Sequence, residues 1–258
     1  MFKLWLTLVI TLLSTMPVLG QNRGPKIGKL PAERMAKVKF LNPEYLVFPA
    51  SAKDDSKVPL LIYLHGAGGR GDEINKIKGQ VTSLTRGLQK FVKGPCMIVA
   101  PQCLKKSIGR EQSTWTPEDL NAFLSELKTT LPIDEKRIYL TGNSMGGYGT
   151  WVWGANNPKA FAAIAPISGG IGRGGPKDVT PDLKKWAKNL TNVPVYAFVG
   201  GNDRVVPSER SERLIGEIRK AGGKQAKLKI YPDEGHNARG VVYATPEFYE
   251  WMFSKRRN

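Results

Sequence analysis

The sequence predicts a single α/β domain built on a mostly parallel, doubly wound sheet flanked by helices. Apolar runs alternate with polar or amphipathic stretches along most of the 258 residues, as in folds where strands and helices alternate. Val58–Leu64 is almost continuously apolar, which suits a strand that is buried on both faces of such a sheet. No internal repeat, low-complexity tract or linker divides the chain, so we expect one domain.

The predicted elements follow from these runs in chain order. The predicted strands are 45–48, 58–64, 96–100, 137–141, 161–167, 193–199 and 226–231. The predicted helices are 73–92, 117–131, 148–155, 182–190, 208–221 and 245–255. Thr116 and Pro117 give the clearest helix start, because they offer a cap and a proline at the first helical position. Residues 101–115 are expected to form a loop.

The amino terminus predicts export. Lys3 precedes an apolar run over residues 4–13, and small or apolar residues precede a cleavage point before Gln21. This pattern is typical of a secretory signal peptide over residues 1–20, which predicts a secreted or periplasmic protein. An uncleaved membrane anchor is the alternative, although the apolar run is short for a span of about 20 residues.

The remainder of the chain divides simply. The polar, basic stretch 21–40 is expected to be an extended N-terminal arm, and 41–258 the catalytic domain. No second segment is long and apolar enough to span a membrane. Cys96 and Cys103 would lie about 20 Å apart on or beside a strand, too far for a disulfide, so two free thiols are predicted.

The charge favours anionic partners without identifying one. The chain carries 39 basic against 22 acidic residues, a formal charge of +17. A solvated basic surface explains this balance, and attraction to an acidic polymer such as an anionic polysaccharide is the sharper interpretation. No recognisable nucleic-acid-binding module accompanies the charge, so no nucleic acid partner is expected.

The stretch Gly142–Gly147 contains the candidate nucleophile, Ser144. It joins a predicted strand to a predicted helix with the pattern Gly-x-Ser-x-Gly, which places a serine at the apex of a sharp turn. Glycines two positions either side are needed because Cβ atoms there would collide where the strand and the helix pass close together.

A serine hydroxyl needs a base and a group that orients the base. The chain has two histidines, His65 and His236, and His236 follows a late strand, where the base belongs in the chain order serine, acid, histidine. Asp203 is the preferred acid, because it lies just past a predicted strand between Ser144 and His236. Competing acids are Asp178, Asp182, Asp233 and Glu234, and a turn-forming role is the alternative for Asp203.

An oxyanion requires two backbone N–H donors. Met145, directly after the nucleophile, supplies one, and Ala67 in the glycine-rich loop after 58–64 is the best candidate for the other, with Gly68 second. His65 and Trp115 are candidates for contacting the substrate, and ordinary packing is the alternative for Trp115. No metal-ligand cluster is predicted.

These segments together resemble the α/β-hydrolase superfamily. The matching segments are 64–72, 99–103, 137–147, 200–203 with 206–207, and 235–236. They resemble secreted prolyl-oligopeptidase-like predicted peptidases, feruloyl-esterase-like and polyhydroxybutyrate-depolymerase-like esterases, and dienelactone-hydrolase relatives. The resemblance implies Ser144 as nucleophile, Asp203 as acid and His236 as base, with no cofactor.

The resemblance leads to an expected function. The chain has no room for the N-terminal propeller of a prolyl oligopeptidase, and little sequence is inserted where a lipase carries a lid. We therefore expect an open site and a secreted serine esterase acting on carboxylic esters, with feruloyl or acetyl groups on polysaccharides as the first choice. A small serine peptidase is one alternative, and an inactive scaffold that binds anionic glycans is another.

Overall fold

The computed structural model describes residues 24–50, 56–109, 111–172 and 175–258. The predicted signal peptide, residues 1–20, and the first residues of the predicted arm lie outside these ranges. None of the described helices is long and apolar enough to cross a membrane.

The described chain forms ten strands and eight α-helices. The strands are β1 (Lys26–Lys29), β2 (Leu41–Phe48), β3 (Val58–Leu64), β4 (Met97–Cys103), β5 (Ser107–Ile108), β6 (Glu111–Gln112), β7 (Ile133–Asn143), β8 (Ala163–Ile167), β9 (Val195–Gly200) and β10 (Ala226–Tyr231). The helices are α1 (Ala32–Met35), α2 (Lys78–Phe91), α3 (Pro117–Thr130), α4 (Met145–Asn156), α5 (Leu183–Asn189), α6 (Glu209–Lys220), α7 (Arg239–Tyr243) and α8 (Pro246–Phe253). Short 3₁₀ turns cover Ala67–Gly69 and Ile74–Ile77.

Eight strands form one sheet in the order β1-β2-β4-β3-β7-β8-β9-β10. The strands from β4 to β10 in this order pair in parallel, whereas β2 is antiparallel to both β1 and β4. This is the predicted mostly parallel sheet. Since parallel strands end at the same edge, the loops that follow β3, β7, β9 and β10 meet there.

The sheet separates two hydrophobic cores. All seven residues of β3 are buried, and they alternate between the cores because successive side chains point to opposite faces. Helices α3 to α6 cover one face with residues such as Trp151 and Ile215. Helices α2, α7 and α8 cover the other with residues such as Leu84 and Phe248. The central strands are apolar runs because both of their faces are buried in these cores.

The predicted extended arm over 21–40 needs correction. Its described part belongs to the domain: β1 pairs with β2, and Leu30 and Phe40 are buried. The buried carboxylate of Asp119 on α3 accepts the backbone N–H groups of Lys39 and Phe40 at 2.8 and 2.9 Å. The arm is held because Leu30 and Phe40 enter the core and two backbone N–H groups find an acceptor there.

Three other local predictions have clear outcomes. The expected loop 101–115 contains the end of β4 and the β5–β6 hairpin. The cap on α3 is confirmed, since the hydroxyl of Thr116 accepts the N–H of Asp119 at 3.3 Å. Cys96 and Cys103 are both free, as predicted, and both are buried.

Candidate active site

Three predicted side chains meet at the carboxyl edge of the sheet. Ser144 directly follows β7, Asp203 lies three residues past β9, and His236 lies five residues past β10. His236 Nε2 is 2.8 Å from Ser144 Oγ, and His236 Nδ1 is 2.8 and 3.1 Å from the two oxygens of Asp203. The structure thus brings the predicted nucleophile, base and acid into one hydrogen-bonded chain.

The carboxylate of Asp203 is held by backbone N–H groups as well as by the histidine. Its side chain is fully buried, and Oδ1 accepts the N–H groups of Val205 and Val206, each at 2.9 Å. Since a carboxylate can only accept, the facing Nδ1 of His236 must carry the proton. The lone pair of Nε2 is then left to accept the hydroxyl proton of Ser144. This is the tautomer that base catalysis requires.

Ser144 occupies a strained turn between β7 and α4. Its φ of 58° is in the left-handed region that side chains rarely adopt, and its N–H donates to Ile167 O at 3.0 Å. A Cβ on Gly146 would overlap the carbonyl oxygen of Leu64, and one on Gly142 would overlap that of Gly146. Both flanking glycines are therefore required by the close approach of β3, β7 and α4.

The expected oxyanion residues border the same space. Ser144 opens into a cavity of about 840 Å³, and its lining includes Ala67 and Met145. Ala67 begins a short 3₁₀ turn and Met145 begins α4, so the N–H groups of both lie in first turns, where helix geometry leaves them without intrahelical partners. Gly68 is exposed but does not line the cavity, which favours Ala67 over the second choice.

His65 is not a substrate-contacting residue, contrary to the prediction. It is fully buried, its Nδ1 lies 2.7 Å from Gly66 O, and its Nε2 accepts the N–H of Cys103 at 2.9 Å. Burial lowers the pKa of His65 to about 4, with Arg70 and Lys76 adding to the effect and the bond to Gly66 opposing it. His65 is therefore a neutral structural residue that ties the β3 loop to the end of β4.

Trp115 does not line the cavity at Ser144, although it borders a second, adjoining cavity. It is 1% exposed, and its indole N–H donates to His65 O at 3.1 Å. The two rings pack edge to face with centroids 4.8 Å apart. The ring thus also supports the loop that carries Ala67.

Cys103 is not a competing nucleophile. Burial raises the pKa of its thiol to about 12, and thiols react as thiolates. Its place beside the site has a structural cause, because its N–H bonds to His65.

The cavity residues that sequence reasoning did not single out include Arg70, Tyr148, Val205 and Val206. Tyr148 could have been found, because it lies four residues after Ser144 and so faces the same side of the helix as the nucleophile. Arg70 donates to Met145 Sδ at 3.1 Å, a contact between the β3 loop and α4 that no local pattern reveals. Among the described residues, no group of three or more His, Cys, Asp or Glu side chains could hold a metal ion.

The fold and this hydrogen-bonded chain place the protein among the α/β-hydrolases. Residues 101–238, about half of the chain, match the model of the dienelactone hydrolase family, and the chain belongs to that family.

Two curated relatives illustrate the range of the family. A "Putative carboxymethylenebutenolidase" of Salmonella typhimurium is 35% identical over 109 residues, which are 40% of this chain and 37% of the relative. The "Probable feruloyl esterase C" of Aspergillus niger is 26% identical over 196 residues, or 74% of this chain and 68% of the relative. The chain therefore spans well under half the length of the first relative.

Solved structures agree on the architecture. A thermostable esterase matches with a TM-score of 0.71 and 28% identity, covering 90% of this chain and 63% of that one. A ferulic acid esterase matches with a TM-score of 0.64, covering 89% of this chain and 99% of its own, but at 18% identity it shows the fold alone.

Proposed function

We propose that this hydrolase cleaves carboxylic esters through an acyl-enzyme on Ser144. The observation that carries the proposal is the chain of hydrogen bonds from Asp203 through His236 to Ser144 Oγ, which opens into the large cavity. The buried carboxylate orients the imidazole and stabilises its charged form, so that Nε2 can remove the proton of a hydroxyl that is otherwise a weak nucleophile.

The reaction takes two steps, and Ser144 and His236 take part in both. Ser144 Oγ attacks the ester carbonyl carbon while His236 Nε2 takes the hydroxyl proton. The backbone N–H groups of Ala67 and Met145 stabilise the resulting oxyanion. His236 then gives its proton to the departing alcohol, leaving an acyl group on Ser144. Water, deprotonated by His236, then attacks this acyl ester, and His236 returns the proton to Ser144 Oγ as the acid is released.

Esters of polysaccharides are the substrates that we propose. An open cavity of about 840 Å³ admits an acyl group that projects from a larger molecule. The similarity to feruloyl esterases supports a feruloyl or acetyl group. The signal-like sequence of residues 1–20 supports a secreted or periplasmic site of action, where such polymers are met. Detection of the mature chain, cleaved before Gln21, outside the cytoplasm would test this location.

Labelling of the serine tests the mechanism. A fluorophosphonate probe should label the wild type and not Ser144→Ala, and the variant should lose hydrolysis of p-nitrophenyl acetate. The matched control is Ser168→Ala, because Ser168 is also buried and at positive φ, and its hydroxyl bonds to no described residue. Labelling that persists in Ser144→Ala and disappears in Ser168→Ala would contradict the assignment.

Substrates separate the esterase from its alternatives. Feruloyl and acetyl-xylan esters should give higher kcat/KM than a peptide substrate in side-by-side assays. Faster peptide cleavage would favour a peptidase, and a protein that is neither labelled nor active would be a binding scaffold.

A further inference from the structure

A second cavity continues from the one at Ser144. Its volume is about 390 Å³, and three residues line both cavities: Glu111, Thr114 and Tyr148. The two cavities therefore adjoin each other at these residues, and we call them together the cleft.

Helix α4 forms the floor of this extension. Three residues of α4 line the second cavity at a spacing of four: Tyr148, Val152 and Asn156. They therefore share one face of this helix, which begins directly after Ser144. With a rise of 1.5 Å per residue, Tyr148 and Asn156 are about 12 Å apart along the axis. The cleft thus leads away from the nucleophile for more than one substrate unit.

The lining combines aromatic and hydrogen-bonding groups. Tyr148 is half-buried and packs on Trp186 of α5, with ring centroids 6.3 Å apart. Thr116, Asn156 and Asp182 add hydroxyl, amide and carboxylate groups to the walls and rim. Aromatic rings accept the apolar C–H faces of sugars, while amides and carboxylates bind their hydroxyl groups.

The charges of this lining do not favour an anion. The cavity has two cationic residues, Lys37 and Lys39, and a larger number of acidic ones. The acidic residues are Glu111, Glu118, Asp119 and Asp182. Although the whole chain carries +17, attraction of a polyanion is therefore not a local property of the cleft.

We infer that the cleft along α4 is a subsite for a neutral oligosaccharide chain, which forms the alcohol side of the ester. The inference rests on the proposed function for its orientation, since the acyl group then occupies the first cavity, near Met145, Val205 and Val206. Tyr148 supports the sugar nearest the ester, and Asn156 marks the far end of the subsite.

Binding can be measured apart from catalysis. In the Ser144→Ala protein, calorimetry should detect binding of a neutral xylo-oligosaccharide. Adding Asn156→Trp should raise the Kd for this sugar at least about tenfold, because the indole fills the cleft. Asn156 is exposed at the end of α4, and its side chain donates to Val152 O in its own helix, so the change should spare the fold. The matched control is Gln225→Trp, at an exposed position directly before β10 that lines neither cavity.

Three results would overturn the inference: no binding of the xylo-oligosaccharide, equal binding in the Asn156→Trp and Gln225→Trp proteins, or tighter binding of an oligogalacturonate. Replacing the ring of Tyr148 gives a second readout, because the Tyr148→Phe protein should bind the xylo-oligosaccharide more tightly than the Tyr148→Ala protein. Failure of the proposed function looks different, since the Ser144→Ala protein would then bind the xylo-oligosaccharide while the wild type hydrolysed neither feruloylated xylo-oligosaccharides nor methyl ferulate.

Discussion

The two histidines of this chain stand in similar places and do different work. Each lies in a loop at the carboxyl edge of the sheet, His65 directly after β3 and His236 after β10. In each ring, Nδ1 faces an oxygen that can only accept, Gly66 O or the Asp203 carboxylate, so both carry the proton on Nδ1. In each ring Nε2 is left as an acceptor.

The difference lies in what donates to Nε2. The donor to His65 is the peptide N–H of Cys103, which does not give up its proton at any ordinary pH. The donor to His236 is the hydroxyl of Ser144, which can give up its proton when it attacks a carbonyl. His65 is fully buried, whereas the side chain of His236 is 27% exposed and borders the site. A histidine tautomer alone therefore does not identify a base; its partner and its access to substrate do.

Removing the base should produce the largest effect. His236→Ala leaves Ser144 without a proton acceptor, and kcat for p-nitrophenyl acetate should fall by at least about 10⁴-fold. The free energy of unfolding should change little, because the imidazole is partly exposed. Steady-state kinetics and urea denaturation measure the two quantities. A loss of less than about tenfold in kcat would mean that His236 is not the base.

The loop of His65 contributes through its backbone, and proline substitution tests this contribution. Ala67→Pro removes the proposed oxyanion donor, and the position suits proline because it begins a 3₁₀ turn and follows Gly66 at ψ 173°. The turn's own bonds, Gly69 N–H to Gly66 O and Arg70 N–H to Ala67 O, are retained. We expect kcat to fall about 100- to 1000-fold with KM nearly unchanged.

Gly68→Ala is the control for this substitution. It keeps its N–H, and a Cβ there has open space and no unfavourable φ, so kcat should stay within about twofold of wild type. If Ala67→Pro kept full activity, the oxyanion donor would have to be sought elsewhere in the loop.

The contrast between the two loops also marks what the sequence could predict. Apolar periodicity predicts the strands that carry the functional residues and the sharp turn at Ser144. Because parallel strands end at one edge of the sheet, it also follows that Asp203 and His236 meet there. The burial of His65 did not follow, because the group that occupies its Nε2 lies 38 residues away on β4. The role of Trp115 depends on that same packing. Local patterns place a residue at the end of a strand without saying which neighbour covers it.

The attachment of the N-terminal segment escaped prediction for a similar reason. Residues 21–40 are polar on average, and the segment is held by Leu30, Phe40 and two N–H groups that meet Asp119 on α3. The average composition of the segment does not show these few contacts. It describes a stretch correctly and still misses the few side chains that fix it.

The smallest expected effect on activity belongs to His65, whose contribution should appear in the pH dependence of stability. Its pKa is lowered from 6.5 to about 4 in the fold, so between these values the unfolded chain binds more protons than the native one. The free energy of unfolding should therefore fall as the pH drops through this window, by about 3 kcal/mol from His65 alone. His65→Gln removes this titration, and denaturation at neutral and acidic pH should show a shallower decline than in the wild type.

Trp115→Phe separates titration from packing. It removes the indole N–H donated to His65 O but leaves the imidazole buried, so it should cost about 1 kcal/mol at neutral pH and keep the wild-type slope. Asp134 and Glu247, whose pKa values are lowered chiefly by hydrogen bonds to Arg137 and Lys229 against a burial effect, also weaken the fold in acid. Their contribution is common to all three proteins, and the difference between slopes reports His65. Equal slopes in His65→Gln and the wild type would show that the fold does not lower the pKa of His65, and the distinction drawn between the two histidines would fail.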